Sequence, residues 1–424
     1  MKVLWFTIRL MPPVAARLGV KVRGSGYWMS TLLRTLSERT DLTLGVVTAR
    51  SGVEDMHFNQ DGIDYFVVGR SRRLKNIRWR RQLEKCAQIA REWRPDVIHV
   101  HGTESYYGLL GRRADIDCPV AISLQGLLSE YRHCYLGSLS RWQVLRATGT
   151  AKFLRGSGLF WDRFRLNVAA RRERRMLASA SWVFGRTDWD RARLGELGPQ
   201  ATYCHVGRIL RPPFYQCRWD LHAARRHSIF FTNGRAPSSG METLIEALRL
   251  LAPQFPDVTL RLAGDPGSGY RRVLDATIRR ARLSDRVKRL GYLDARRIAD
   301  ELSHSHVFAL ASHLENSSNS LAEAQLVGMP CVASHVGGVP SLIRHGHTGL
   351  LFPRADSTAL ARRIGALFAD DDLCVRLGRA GRQTALGRHD PRRVVKQLLN
   401  AYTRAAGGKV QPRPAPESVA LAKS

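Results

Sequence analysis

With 424 residues and 44% hydrophobic content, the chain is long enough for two or three domains with sizeable cores. No apolar run reaches the roughly 18 residues of a membrane span. The seven cysteines are scattered, odd in number and contain no C-x-x-C, which argues against a disulfide framework or a structural zinc site and for a reducing cytosol. A formal charge of +31, with only nine lysines among 67 basic residues, has two readings: an arginine-rich genome, or attraction to an anionic membrane face or nucleic acid.

The opening segment is too short in its apolar core for a signal peptide, and residues 3–8 are predicted as a first strand. Gly24-Ser25-Gly26 precedes a helix over 27–36 with apolar residues at helical spacing. Strands are expected at 42–47 and 64–68, a basic amphipathic helix at 80–93, then strands entering turns at 95–102 and 119–126. Such alternation implies parallel βαβ units whose strand-end loops are available to ligands. Residues 127–178 read as less regular, and their mixture of aromatic and positive residues fits either a membrane-surface helix or a solvated helix face. Val206 to Pro213, with one glycine and two prolines, reads as an extended linker.

A second alternating series begins after the linker. Strands are predicted at 228–235, 259–263, 287–290 and 307–310, with helices at 242–251, 270–281 and 295–302 between them. Later helices are expected at 358–368 and 392–405, and the tail from Gly407 is expected to be disordered. Two α/β halves joined by a proline-rich linker imply a cleft between them.

The densest chemistry lies in E-N-S-S-N-S-L-A-E, residues 315–323. Ser317, Ser318, Asn319 and Ser320 are good N-cap types, so a helix should start near Ser318, with Glu315 in the preceding loop and Glu323 one turn in. Unpaired N–H groups and the helix dipole would face a diphosphate, and the carboxylates would face sugar hydroxyls. The spacing alone also describes an ordinary capped helix with two solvated acids. C-terminal to it lie a short β-like run, 331–334, and glycines at Gly328-Met329-Pro330, Gly337-Gly338 and Gly346-His347-Thr348-Gly349.

That full constellation resembles the family 4 retaining glycosyltransferases of the GT-B fold, an α/β architecture of two Rossmann-like domains whose parallel sheets face an interdomain cleft. Gly24-Ser25-Gly26, Gly234-Arg235 and Leu262-Ala263-Gly264 also match the family pattern, and the resemblance covers most of residues 1–405. It implies an N-terminal acceptor-side domain over 1–207, a nucleotide-sugar-binding domain over 208–388, a helix crossing back to the first domain over 389–406, and a tail over 407–424. The implied activity is transfer of a sugar from a nucleoside diphosphate sugar to a hydroxyl acceptor with retention, in cell-surface polysaccharide or glycolipid synthesis. Glu315 and Arg235 would serve the reacting centre. Glu323 would hold the ribose, and Ser318, Asn319 and Ser320, with Gly234 and Gly264, would complete the donor site. Gly24, Ser25, Gly26, His101 and Gln125 would lie on the acceptor side of the cleft.

No metal or other cofactor is expected, since arginine, serine and backbone donors can offset phosphate charge. A saccharide or lipid-linked acceptor is implied, with an enzyme that is cytoplasmic or peripheral on the inner membrane face. Nucleic acid is not expected, because no nucleic-acid module is recognisable; the alternative is a non-catalytic basic protein binding anionic lipid or nucleic acid. Two positions depart from the family. Ser239 stands where a lysine is common, and Gln125 where a histidine is common, so one phosphate-facing cation is missing and Arg235 carries more of that task. Asp115–Asp117 and Asp188–Asp190 match D-x-D but read as turn acids. His99 and His101 share a strand face without an evident third zinc ligand.

Overall fold

The computed structural model describes residues 1–20, 27–70, 79–149, 153–232, 234 and 236–407. They form two sheets. The first is eight-stranded, in the order β3-β4-β2-β1-β5-β6-β7-β8, from β1 (Lys2–Thr7), β2 (Thr43–Ser51), β3 (Met56–Gln60), β4 (Ile63–Arg70), β5 (Val97–His101), β6 (Val120–Ser123), β7 (Trp182–Gly185) and β8 (Thr202–His205). All its pairings are parallel except β3–β4, a hairpin turned by Asp61 and Gly62, both at positive φ as a type I′ turn requires.

The second sheet is six-stranded and parallel: β11 (Val287–Gly291), β10 (Thr259–Ala263), β9 (Arg225–Thr232), β12 (Ser305–Leu310), β13 (Cys331–Ser334) and β14 (Leu350–Phe352). Strands β12 and β13 are buried throughout, as a parallel sheet covered on both faces requires. In each sheet the chain winds outward in both directions from its first strand. The switch points fall between β1 and β5 and between β9 and β12, where ligands bind in open α/β sheets.

Residues 127–178 are more regular than their sequence suggests. They hold helices Leu128–Cys134, Arg141–Thr148 and Leu159–Leu177, the last 19 residues long. Their polar, arginine-rich composition hides the period, because few faces are apolar and buried. The helix Asp371–Arg388 is likewise absent from the sequence expectations, and Arg382 anchors it by donating to the carbonyls of Tyr215 and Cys217.

The C-terminal helix Pro391–Ala405 buries Val394, Leu398 and Tyr402 in the core beneath the first sheet. Asp390 caps it and Pro391 opens it. The Tyr402 hydroxyl accepts from Trp5 Nε1 at 2.9 Å and bonds His99 Nδ1 at 2.6 Å. Among the described residues no helix is long and apolar enough to cross a membrane.

Candidate active site in the interdomain cleft

The helix predicted near Ser318 spans Asn319–Val327, with Ser318 at its N-cap. Leu321 through Val327 are all buried, so this is an interior helix rather than an amphipathic surface one. It stops at Gly328 (φ 89°), where Met329 N–H returns to Ala324 O at 3.1 Å in a Schellman arrangement, and Pro330 bars continuation. Among the described residues no side chain caps its start, and Ser318 Oγ instead pairs with Ser320 Oγ at 3.0 Å. The first N–H groups therefore remain available to an external acceptor, with the positive end of the helix dipole behind them.

The preceding loop is held by the glycine pair. Gly338 N–H donates to Glu315 O at 2.9 Å, and a Cβ on Gly338 would stand 1.9 Å from Asn316 O. Only glycine permits this approach, and it fixes where Glu315 projects. The Glu315 carboxyl accepts from Ser312 Oγ at 2.9 Å, and burial pushes its pKa up to about 7.

Glu323 is buried on the helix. Its Oε1 accepts from both Nε (3.0 Å) and Nη2 (2.7 Å) of Arg211, while Oε2 has no hydrogen bond among the described residues. Burial raises its pKa, and Arg211 and Arg208 oppose that shift. Arg208 lies over Trp28, 4.4 Å from the ring centroid, and donates to Gln125 Oε1 at 2.6 Å and to Asn319 Oδ1. Burial depresses its pKa strongly, and Arg186 adds to the effect.

These groups line one cavity of about 520 Å³. Its walls are Trp28 from the first half, Arg208 and Arg211 from the connector, Thr232 and Ala263–Asp265 at the ends of β9 and β10, and Glu315, Ser317–Ser320 and Glu323. Hydrogen bonds join the two halves beside it: Thr187 Oγ1 to Asn316 Oδ1 at 3.1 Å and Asp188 N–H to Ser341 Oγ at 3.1 Å.

The structure thus brings together Glu315, Glu323, Ser318, Asn319, Ser320 and Gly264. It does not bring His101 or Gln125 to the cavity wall. His101 is buried behind Trp28 and Trp5, with neither ring nitrogen hydrogen-bonded among the described residues, and Gln125 reaches the site through Arg208. Gly234 is buried, facing Met241, and is not part of the lining. Ser239 turns back on Ala236 O at 2.6 Å rather than toward the cavity. Gly24, Ser25, Gly26 and Arg235 lie outside the described residues.

The residues that sequence reasoning missed are mainly Arg208 and Arg211, in the stretch read as a linker. Two arginines inside that run were the sequence signal, and they do not distinguish a tether from a cleft wall. On the first-half side, Glu104 and Tyr131 were also missed. Burial raises the pKa of the Tyr131 hydroxyl, with Glu315 and Glu104 adding to the effect, and burial raises the Glu104 pKa. The D-x-D acids are structural: Asp115 pairs with Arg113, and Asp190 accepts from the N–H of Arg186 and the hydroxyl of Tyr203. Among the described residues no group of three His, Cys, Asp or Glu side chains could hold a metal ion.

Residues 24–207 match the sequence family described as glycosyl transferase 4-like domain, and residues 220–384 match glycosyl transferases group 1. The chain belongs to the group 1, family 4 glycosyltransferases of GT-B fold. This family member is similar to a 2-deoxystreptamine N-acetyl-D-glucosaminyltransferase of Niallia circulans, 24% identical over 47% of this chain and 50% of that one. It is also similar to an N-acetyl-alpha-D-glucosaminyl L-malate synthase of Bacillus anthracis, 32% identical over 34% of this chain and 37% of the relative. The chain therefore spans no more than half the length of these two curated relatives.

Among solved structures, sucrose-phosphate synthase from Thermosynechococcus elongatus superposes with a TM-score of 0.72 at 18% identity, covering 96% of this chain and 100% of that one. Anabaena HepE in complex with UDP and glucose gives 0.65 at 21% identity, covering 95% and 99%. At these identities the superpositions establish the fold of this group 1 member and nothing finer.

Proposed function

We propose that this protein moves a sugar from a nucleoside diphosphate sugar to a hydroxyl acceptor, keeping the anomeric configuration. The observation that carries the reading is the cavity itself. Uncapped helix N–H groups and two inward arginines face the same space as two buried carboxylates, a donor set suited to one diphosphate and several hydroxyls. Glu323 Oε2 accepts from the ribose, the N–H groups of Ser318, Asn319 and Ser320 donate to the diphosphate, and Glu315 accepts from the transferred sugar. Arg208 and Arg211, together with Arg235, offset the charge that builds on the departing diphosphate, so the reading requires no metal.

In the transfer, the bond from the anomeric carbon to the diphosphate oxygen breaks and a bond to the acceptor oxygen forms on the same face. The acceptor proton passes to a leaving phosphate oxygen, which requires no covalent enzyme intermediate. The acceptor is a saccharide or a lipid-linked hydroxyl in polysaccharide or glycolipid synthesis. UDP-sugars are the first donors to try, because HepE was solved with UDP and with UDP-glucose.

Thermal-shift titration against UDP-, GDP- and ADP-sugars tests the donor site. One donor should raise Tm selectively, through mass action on the folded state. Glu323→Gln should weaken that donor by roughly 1.5–3 kcal/mol, the value of a charge-assisted hydrogen bond. No response to any nucleotide sugar, or an unchanged affinity in Glu323→Gln, overturns the assignment. The anomeric configuration of the product, read by NMR, tests retention.

A further inference from the structure

Exposed apolar side chains are concentrated in one place. Of the 13 large hydrophobic residues exposed among those described, seven fall between residues 142 and 168. Trp142 (81% exposed) and Leu154 (84%) are the extremes, and with Leu145 and Phe153 they line a groove of about 760 Å³. Phe153 packs on Phe160 (5.4 Å between centroids), and Trp161 stands edge-on to Phe164 (5.9 Å), so the cluster is continuous. An exposed apolar patch of this kind is rare on a freely soluble surface and marks a contact face.

The same segment is strongly cationic. Residues 141–175 contain ten basic and two acidic residues. One of the two acids, Glu173, is buried and turned inward, accepting from the N–H groups of Leu128 and Ser129 and from Thr103. The other, Asp162, is paired with Arg165. The outer surface therefore carries almost uncompensated positive charge.

Apolar and cationic groups are ordered along the Leu159–Leu177 helix. Phe160, Phe164, Val168, Arg171 and Arg175 succeed one another at spacings of three and four, so they form one stripe, apolar first and cationic after. At its cationic end Val168, Arg171 and Arg175 border a second cavity of about 600 Å³, floored by Trp79, Leu83 and Leu109. An apolar end can enter a membrane interface while a cationic end stays among the phosphates, since aromatic and aliphatic groups favour the acyl boundary and arginines the anionic headgroups.

We propose that this face docks on an anionic phospholipid bilayer, with the aromatic tip entering the interface and the arginine-lined cavity receiving headgroup phosphates. Charge decides for a bilayer: a partner surface must supply dense negative charge beside an apolar layer, and an anionic leaflet offers both. The segment is also tied to the second half. The Arg141–Thr148 helix packs on the Ser268–Arg280 helix of the second half so closely that a Cβ on Gly269 would lie 2.1 Å from Ala147 O. The docking face stands on the surface alone. That it presents a lipid-borne acceptor to the cleft rests on the transfer reading.

Flotation of the full chain with vesicles tests the proposal. The protein should float with vesicles of mixed phosphatidylcholine and phosphatidylglycerol, several-fold less with phosphatidylcholine alone, and less again as salt rises. Trp142→Ser combined with Leu154→Ser, both at well-exposed positions, should abolish flotation, and Arg171→Gln with Arg175→Gln should remove the preference for anionic vesicles. Wild-type protein that fails to float on either composition, or variants that float as wild type does, overturns the proposal. Thermal shift with nucleotide sugars, measured on the same variants, should be unchanged; its absence in wild type would count against the transfer reading and leave the flotation result to judge docking.

Discussion

The two sides of the cleft are built in different ways. On the second-half side the Glu315 loop, the helix it feeds and the glycine pair that clamps it all come from one short stretch, residues 312–338, flanked by the strand ends at Thr232 and Ala263–Asp265. The other side is assembled from afar. Trp28, Gln125 and Arg208 meet although they are separated by tens of residues, and His99 is held by Tyr402 across 303 positions. The side that carries the Glu315 loop and its helix is thus encoded largely locally, and the facing side only through tertiary structure.

The largest expected effect breaks the bridge between them. Arg211→Ala leaves the Glu323 carboxylate, 7% exposed, without its ion-pair partner. A buried pair broken on one side costs about 3–5 kcal/mol, and the value should fall at the low end because Arg208 stays nearby; urea denaturation measures it. Restored stability in Arg211→Ala with Glu323→Gln would confirm that the stranded charge is the cause.

Gly338→Ala probes the local side. Its Cβ must displace the Asn316 carbonyl and the Thr187 side chain, at a cost of about 1–3 kcal/mol. Donor affinity should fall with stability, since the same carbonyl belongs to the Glu315 loop. If stability falls but affinity holds, the clamp does not position Glu315.

Tyr402→Phe probes the dispersed side. It removes the hydroxyl shared by Trp5 and His99 and strands two buried ring nitrogens, for about 1–3 kcal/mol. Here stability should drop while donor binding is kept, because no atom of the cavity is touched.

The smallest effect is a pH dependence. Burial raises the Glu315 and Glu242 pKa values to about 7, from 4.5 when unfolded. Between these values the unfolded chain has released protons that the folded one keeps, so stability is full below about pH 4.5 and is lost as pH rises through about 7. Tm of the ligand-free protein should carry this downward contribution, and Glu315→Gln should remove only the Glu315 share. A slope unchanged in Glu315→Gln would show that its carboxyl is already ionised in the folded state.

This division also explains what was legible in the sequence. Strand and helix periods in both halves, and the Glu315–Gly349 pattern, could be read because each rests on neighbours in sequence. Arg208 and Arg211 could not, since a proline-rich run looks the same whether it is a solvated tether or threads through a cleft. The helices of residues 128–177 were obscured because their composition is arginine-rich and several of their apolar residues, Phe160, Phe164 and Val168 among them, do not face the core. The β3–β4 hairpin was missed despite its Asp61-Gly62 turn, since β3 holds one well-buried side chain, Phe58, and little alternation. Gln125 gains a physical reason: its Oε1 accepts from Arg208, a position where a protonated histidine would meet a like charge.

The return of the Pro391–Ala405 helix has a consequence for how the chain is made. The lobe translated first cannot close its own interior until the Pro391–Ala405 helix has left the ribosome, because Val394, Leu398 and Tyr402 fill it. The lobe translated second has every piece it needs earlier, so on the ribosome the order of maturation should run opposite to the order of synthesis.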